Sequence, residues 1–326
     1  MKRNNNLDFF RGFAILWIIL IHTCFHSGDA YVPVIVKTMS LIIDVPVFLF
    51  LAGYTFHYTN SFEKNIKGLL KIYIYYLVFT VIFFIITGIV SRDQITVPNV
   101  INALFFKYSQ DLPLPSFRYS MWFLPMFFLV SSIGSLFISH CKLNRNHVIL
   151  TFILYGVFTY YLKDKTLSMI FLYLFLYCLG YYCHDHKLSF KKFIFYFLII
   201  IGLNVVFKYF GPYGFKKIQN AKFDFDIVYL VYSMISILII WFINTRVEFH
   251  NRFITLIGRN SFILYLCQGF SSSILYELAP KIHIHWVPKL ITAFAFNIVC
   301  SLILFFIFYK IFEKLKQPIQ NLLSSE

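Results

Sequence analysis

Charge is what this 326-residue chain has least of: only 13% of its residues are Asp, Glu, Lys or Arg. A soluble domain is typically about 25% charged, so composition argues against a soluble fold. Acidic residues are the scarcer sign, 14 against 29 basic ones, and the formal net charge is +15. That balance does not make a nucleic-acid binder. The Lys and Arg fall in short clusters between apolar runs, as loop charges of a membrane protein do. The chain also lacks a long polar stretch, a low-complexity tract and an internal repeat. With no room for a second, soluble domain, residues 1–326 read as a single membrane domain.

Cysteine and histidine are present without the spacing a metal site needs. The six cysteines (Cys24, Cys141, Cys178, Cys183, Cys267, Cys300) are scattered, mostly within or beside apolar stretches, where buried free thiols are the plain reading. His184-Asp185-His186 and His283-Ile284-His285 have the look of ligand pairs. Each falls in a loop or at a helix end without further ligands, so no metal is expected. A cleavage site is lacking too. Lys2 and Arg3 precede an apolar run as in a signal peptide, but Asp8 and Arg11 interrupt it and no small-residue site follows cleanly. An uncleaved first span is expected.

What is abundant is hydrophobicity: 59% apolar residues, mean hydropathy +0.72, 42 Phe and 23 Tyr. Ten windows have the length and apolarity of a span: Leu7–Phe25, Val34–Tyr54, Leu69–Val90, Tyr119–Ser139, Val148–Leu162, Leu167–Cys183, Phe193–Phe210, Ile227–Thr245, Phe253–Leu278 and Val287–Phe312. The expected fold class is all-α, a polytopic integral membrane bundle of about ten transmembrane helices. Only Lys163-Asp164-Lys165 separates the short fifth and sixth windows, which predicts a tight helical hairpin. Pro98–Lys107 is amphipathic and predicts an interfacial segment. Gly211–Asp226, with Pro212, Gly214 and Lys216-Lys217, reads as the longest polar loop. Ten spans put both termini on one side. If that side is the cytoplasm, each cytoplasmic turn carries two or more Lys or Arg, as the positive-inside rule requires. The composition fits a bacterial inner membrane.

The first window holds the most telling residues, Arg11 and His22. Eleven helical steps make about three turns plus ~20°, so both side chains share a face, roughly 16 Å apart along the axis. Asp8, three residues before Arg11, can pair with it on that face. Ionisable groups in a span cost about 2.5–3.5 kcal/mol each on insertion scales, and function is the usual reason for them. His22 is a natural general base, with a reference pKa of about 6.5. Asp8 and Arg11 suit a phosphate-bearing donor; the plainer roles are helix fixing and snorkelling.

Other polar residues in apolar runs are candidates for binding. Asp44 followed by Pro46 predicts a kinked helix with the carboxylate in a polar cavity, and Gly53 permits close helix approach. Lys64, Lys67 and Lys71 form a basic cluster at the membrane edge, suited either to topology or to donor phosphates. Trp122 reads as an interfacial anchor, with Pro125 in a first helical turn. Asn260, Ser261, Tyr265 and Gln268 form a stripe at three-to-four-residue spacing, facing the bundle interior as a site or as helix-packing contacts.

Taken in order, these segments resemble the acyltransferase family 3 of integral membrane proteins. The resemblance rests on Asp8-x-x-Arg11, the Arg11-x10-His22 spacing, Pro46-Val-Phe-Leu-Phe-Leu-Ala-Gly-Tyr54, the lysines after it, Trp122-Phe-Leu-Pro125 and Gly258-Arg-Asn-Ser-Phe-Ile-Leu-Tyr265. It implies transfer of an acyl group, usually acetyl, from cytoplasmic acyl-CoA to a hydroxyl of an extracytoplasmic glycan or lipid-linked sugar. The acyl-CoA is a co-substrate; no bound cofactor is implied. Arg11 and His22 become the family's key pair, with His22 as base or acyl relay. Lys64, Lys67 and Lys71 fall in the donor-side loop where arginines are more usual, and lysines lose the bidentate phosphate geometry. Ala52 stands where the family commonly has serine, and Gln268 where histidine often follows the tyrosine. No hydrolase-like domain accompanies the spans, so transfer is expected within the membrane domain or through a separate partner.

Asn260, Ser261 and Tyr265 are candidate oxyanion donors. Direct transfer and a transient acyl-histidine both fit. Two other classes fit the buried ions: a transporter or flippase for a polar lipid or sugar, and a non-catalytic scaffold of polysaccharide assembly. The missing two-fold repeat weighs against a transporter.

Overall fold

The computed structural model describes residues 4–210 and 218–324, with side chains as far as residue 315. Every regular element among the described residues is helical. Nine helical segments among them are long and apolar enough to cross a membrane, and the protein is a polytopic helical membrane protein. In chain order the α-helices are α1 (Asn5–Phe25), α2 (Val34–Ser40), α3 (Val45–Thr59), α4 (Phe62–Val90), α5 (Val97–Leu104), α6 (Pro115–Ser120), α7 (Phe123–His140) and α8 (Arg145–Gly156). Then come α9 (Lys165–His184), α10 (Phe190–Phe210), α11 (Ile218–Phe223), α12 (Ile227–Asn244), α13 (Arg252–Arg259), α14 (Ser261–Leu278) and α15 (Trp286–Ser324).

The fifth window is the one that falls short. It folds as the 12 residues of α8 followed by five of π-helix, Val157–Tyr161. At about 1.5 Å per residue that is roughly 25 Å, shorter than the ~30 Å hydrocarbon core but at the lower end of spanning lengths, so the bundle keeps about ten spans. The hairpin after it forms as expected. Lys163 takes a left-handed turn at φ 53°, and Asp164 caps α9 by accepting the Leu167 N–H at 2.9 Å. Helix α5 matches the amphipathic segment. Pro212, Gly214, Lys216 and Lys217 lie outside the described residues, while the end of that polar stretch forms α11.

Three windows are broken where hydropathy runs on. The second divides at Leu41–Asp44, with Asp44 at the N-cap position of α3 and Pro46 in its first turn. A proline there loses no hydrogen bond, so the expected kink is a full break placed just before it. The fourth divides at Met121–Trp122 and the ninth at Asn260. Each break frees backbone polar groups within or at the edge of an otherwise apolar run, and these need internal partners wherever lipid excludes water.

Contacts group the chain into two units. The first comprises Met1–Ile18, Pro33–Asn65 and Phe127–Arg259. In it α3 and α9 pack backbone to backbone at two glycines. A Cβ on Gly53 would lie 1.8 Å from the Tyr177 carbonyl oxygen, and one on Gly180 2.0 Å from that of Phe50. The backbones touch, as small residues allow in membranes where dispersion replaces the hydrophobic drive. On the same unit, α10 leaves Phe195, Leu198 and Val206 exposed, a surface suited to acyl chains. The second unit comprises Ile19–Val32, Ile66–Met126 and Asn260–Glu326. Its core is aromatic: Phe117 stacks on Phe83 at 5.2 Å and meets Phe270 at 4.5 Å, while Phe79 meets Phe308 at 4.4 Å.

Candidate active site

Helix α1 is continuous from Asn5 to Phe25, so Arg11 and His22 keep their eleven-residue spacing on one helix. Each is built into its own unit by different partners.

In the first unit, α13 is pressed against the start of α1. A Cβ on Gly258 would lie 1.6 Å from the Asp8 carbonyl oxygen, and one on Gly12 2.1 Å from that of Ile254. This contact delivers the next residue, Arg259, to Asp8, with Nε 3.2 Å from Oδ2. Arg259 Nη2 also donates to Asn5 Oδ1 at 3.0 Å. Asp8 is buried at 2% exposure, so a guanidinium beside it offsets a large desolvation cost. Arg11, half-buried, donates through Nη2 to Thr55 Oγ1 of α3 at 2.8 Å. At the N-terminal start of α1 a polar cavity of about 620 Å³ opens, lined by Asn4, Asn6, Tyr58, Arg246, Glu248 and His250 among others.

Asp44 is buried and paired through Oδ2. Lys222 Nζ of α11 lies 2.7 Å from Oδ2, and the Tyr229 hydroxyl of α12 donates to the same oxygen at 2.8 Å. The surroundings of this carboxylate are thus a counter-ion and a phenol. Lys64, Lys67 and Lys71 line one side of the first turns of α4; Lys64 is exposed and the other two are half-buried. Lys71 Nζ sits 5.6 Å from the Tyr75 ring centroid.

In the second unit, His22 belongs to a closed chain of polar side chains. Its Nδ1 lies 3.5 Å from Ser120 Oγ at the end of α6. Ser120 Oγ accepts from Gln268 Nε2 of α14 at 3.3 Å, and Ser272 donates to Gln268 Oε1 at 3.3 Å. Asn297 of α15 then donates to Ser272 Oγ at 2.9 Å and to Thr23 Oγ1 at 3.0 Å. Thr23 is the residue after His22, so the chain returns to α1. Ser120, Gln268, Ser272, Asn297 and Thr23 are each at most 1% exposed. Ser271 adds a bond to Asn297 Oδ1 at 2.7 Å, and Tyr265 donates its hydroxyl to the Ser120 carbonyl.

Donor accounting favours one histidine tautomer. Ser120 has one hydroxyl proton, and its Oγ lies 2.6 Å from the Ser116 carbonyl, which can only accept. Towards His22, therefore, Ser120 offers only a lone pair, an arrangement that suits the tautomer with its proton on Nδ1. In that neutral ring the lone pair is on Nε2, the state a general base needs. His26, one turn on, has its ring 5.0 Å from that of His22 and 5.8 Å from Tyr119.

The structure therefore divides the α14 stripe. Tyr265 and Gln268 reach Ser120, whereas Asn260 and Ser261 mark the break and first residue of the helix, both half-buried. Trp122 occupies the break before α7, half-buried beside Phe123 at 6.3 Å. Sequence reasoning missed Ser120, Ser272 and Asn297 as partners of His22. The signal was there in outline: Asn297 sits alone in an apolar span, and Ser271-Ser272-Ser273 interrupts another.

A further cluster lies at the ends of α3 and α9. His57, His184 and Asp185 bring one nitrogen or oxygen each within 4.8 Å of one another. Of the pair His184 and His186, expected to lack further ligands, His184 has His57 and Asp185 beside it.

These features define an integral membrane protein that surrounds a histidine, in the last turn of its first helix, with buried polar side chains. The chain belongs to acyltransferase family 3, whose model, described as an acyltransferase domain, matches residues 4–310. No curated protein and no solved structure matches it.

Proposed function

We propose that the protein moves an acyl group, acetyl in the first instance, from acyl-CoA to a hydroxyl of an extracytoplasmic glycan or lipid-linked sugar. Family membership makes it an acyltransferase and speaks for this reading over a transporter or a scaffold. One observation carries the chemistry: His22 faces an acceptor at Nδ1 within a buried polar chain, which leaves Nε2 as base.

A thioester is already activated. The protein must place the acceptor oxygen, take its proton and stabilise the oxyanion. In direct transfer, Nε2 removes the hydroxyl proton as the oxygen attacks the thioester carbonyl. The tetrahedral intermediate collapses with loss of the C–S bond, and the CoA thiolate takes the proton back from His22. In the relay version Nε2 itself attacks the thioester carbonyl and the C–S bond breaks to release CoA thiolate. The acceptor oxygen then attacks the acyl-histidine, the N–C bond breaks, and the hydroxyl proton passes through the freed Nε2 to the thiolate. Ser120, Gln268 and Asn297 hold the ring in either case and carry no acyl group.

Arg11 and the lysines at Lys64, Lys67 and Lys71 supply the positive charge for the donor's phosphates, on the face assigned to the cytoplasm together with both termini. The cavity beside Asn4, Tyr58 and Arg246 has the size and polarity for part of a nucleotide. From Arg11 the pantetheine arm follows α1 for the roughly 16 Å to His22. A bacterial inner membrane, with CoA inside and glycan outside, suits this division.

The test places radiolabelled acetyl-CoA on one side of proteoliposomes and a glycan fraction on the other. Label recovered in ester linkage on the glycan, dependent on Arg11 and His22, supports the proposal. Label that stays in acetyl-CoA or appears only as free acetate, with folded protein and every glycan fraction tried, contradicts it.

A further inference from the structure

We propose that His57, His184 and Asp185 form a binding site for a divalent transition-metal ion of the zinc class, joining α3 to α9 where both helices end.

Gly53 and Gly180 let the α3 and α9 backbones touch. His57 lies four residues after Gly53 and His184 four after Gly180, one helical turn beyond the contact in each case. The close approach therefore brings two imidazoles together at the same end of the pair. Their rings stack with centroids 3.7 Å apart and planes 15° apart.

Both rings aim at one carboxylate. His57 Nε2 is 3.0 Å from Asp185 Oδ2, and His184 Nδ1 is 2.9 Å from Oδ1. Zinc binds imidazole nitrogen and carboxylate oxygen at about 2.0–2.2 Å, so tetrahedral ligands lie roughly 3.3 Å from one another. The His-to-Asp separations are within a few tenths of an ångström of that, and all three ligand atoms fall within 4.8 Å. Binding requires that the proton on each converging ring nitrogen move to the other nitrogen of its ring, and that the stacked rings tilt until both planes meet at the ion. Two imidazoles and one carboxylate form a set that zinc-class ions favour over magnesium or calcium.

The surroundings suit a held ion. Tyr54 and Tyr58 present their rings to His184 at 5.1 and 4.8 Å, and Tyr181 packs against His57 at 4.9 Å. These walls limit rotation of the imidazoles. Asp185 is 60% exposed on its side chain, so the fourth coordination position opens to water. His186 is not part of the set, since its Nδ1 is directed to the Tyr182 carbonyl at 2.8 Å.

The experiment uses the full chain in lipid nanodiscs, purified through a tag without histidine and stripped with chelator. Cobalt(II) serves as a visible-absorbing probe, zinc is titrated against a chromophoric competitor, and bound metal is counted by mass spectrometry. The expected result is one ion per chain, cobalt ligand-field bands abolished by zinc, and a rise in melting temperature with added zinc. His57→Gln and His184→Gln each weaken binding at least ~10-fold and abolish the thermal shift. His186→Gln leaves both unchanged. Absence of stoichiometric metal in folded wild type overturns the proposal, which would make the cluster a hydrogen-bonded one only. Binding undiminished in the His57→Gln/His184→Gln double variant overturns it too.

Discussion

Ser120 Oγ lies 3.5 Å from Nδ1 of His22 and, with its own proton given to Ser116 at 2.6 Å, faces the imidazole as an acceptor. The relationship crosses from α6 to α1 and is supported from a third helix by Gln268. It turns a histidine in an apolar helix into one with a favoured tautomer. The same serine offers its carbonyl to Tyr265, so one residue gathers two of the family-motif positions.

Replacing Ser120 with Ala removes that acceptor but leaves His22 in place. Turnover is expected to fall roughly 10-fold or more, against 10²–10⁴-fold for loss of the base itself in His22→Ala. The pH–rate profile should shift and KM for acyl-CoA should change little. A Ser120→Ala variant with the wild-type profile would show that the serine does not orient the ring.

The pair Asp44–Lys222 is read here as buried and internal. Removing one partner, as in Asp44→Ala or Lys222→Ala, leaves an uncompensated charge and should cost about 3–5 kcal/mol. Asp44→Asn with Lys222→Met should recover most of that loss in a thermal or denaturant unfolding assay. If the double variant folds and still loses donor affinity, Asp44 also serves the substrate.

Backbone contact between α1 and α13 makes Gly258 intolerant. A methyl there would sit 1.6 Å from a carbonyl oxygen that cannot move aside, so Gly258→Ala should destabilise by well over ~3 kcal/mol or abolish folding. Gly68 has open space around its Cβ position. Gly68→Ala, within α4, should be neutral or stabilising by about 0.5–1 kcal/mol. Melting temperatures of the two variants in nanodiscs check both halves.

Asp29 supplies a pH dependence. The hydrogen bond from Lys289 Nζ at 2.6 Å, working against desolvation, holds its carboxyl below the usual carboxylate range. A depressed folded-state pKa contributes stability above the unfolded value, about 3.9, and the contribution is lost as pH falls through the folded value. Wild type should therefore melt above Asp29→Asn at neutral pH, with the gap closing below about pH 4. The gap should be small, because Asp29 is 37% exposed on its side chain. A gap that is constant down to acid pH would assign the effect to something other than this ion pair.

Much of the fold was legible because lipid leaves few choices: apolar windows of span length become helices. The breaks were not, since averaging over a window hides interruptions of one to four residues at Asp44, Trp122 and Asn260. The site was legible only in its centre. Arg11 and His22 stand out as ionisable groups in an apolar run, but their partners come from elsewhere in the chain. Arg259 reaches Asp8 from 251 residues away, and Asn297 reaches Thr23 from 274. No local pattern encodes such distances. His57 and His184 illustrate the same limit, since two histidines 127 positions apart in sequence meet only once Gly53 and Gly180 have set the helices together.

The most direct test of the central claim is glycan-dependent release of CoA from acetyl-CoA by wild type and His22→Ala, at matched amounts of folded protein in liposomes. With His22 as base or relay, wild type releases CoA faster when glycan is present, and His22→Ala loses that stimulated rate by about 10²-fold or more while keeping its melting temperature. Equal stimulated rates in the two proteins would contradict the account and remove His22 from the chemistry.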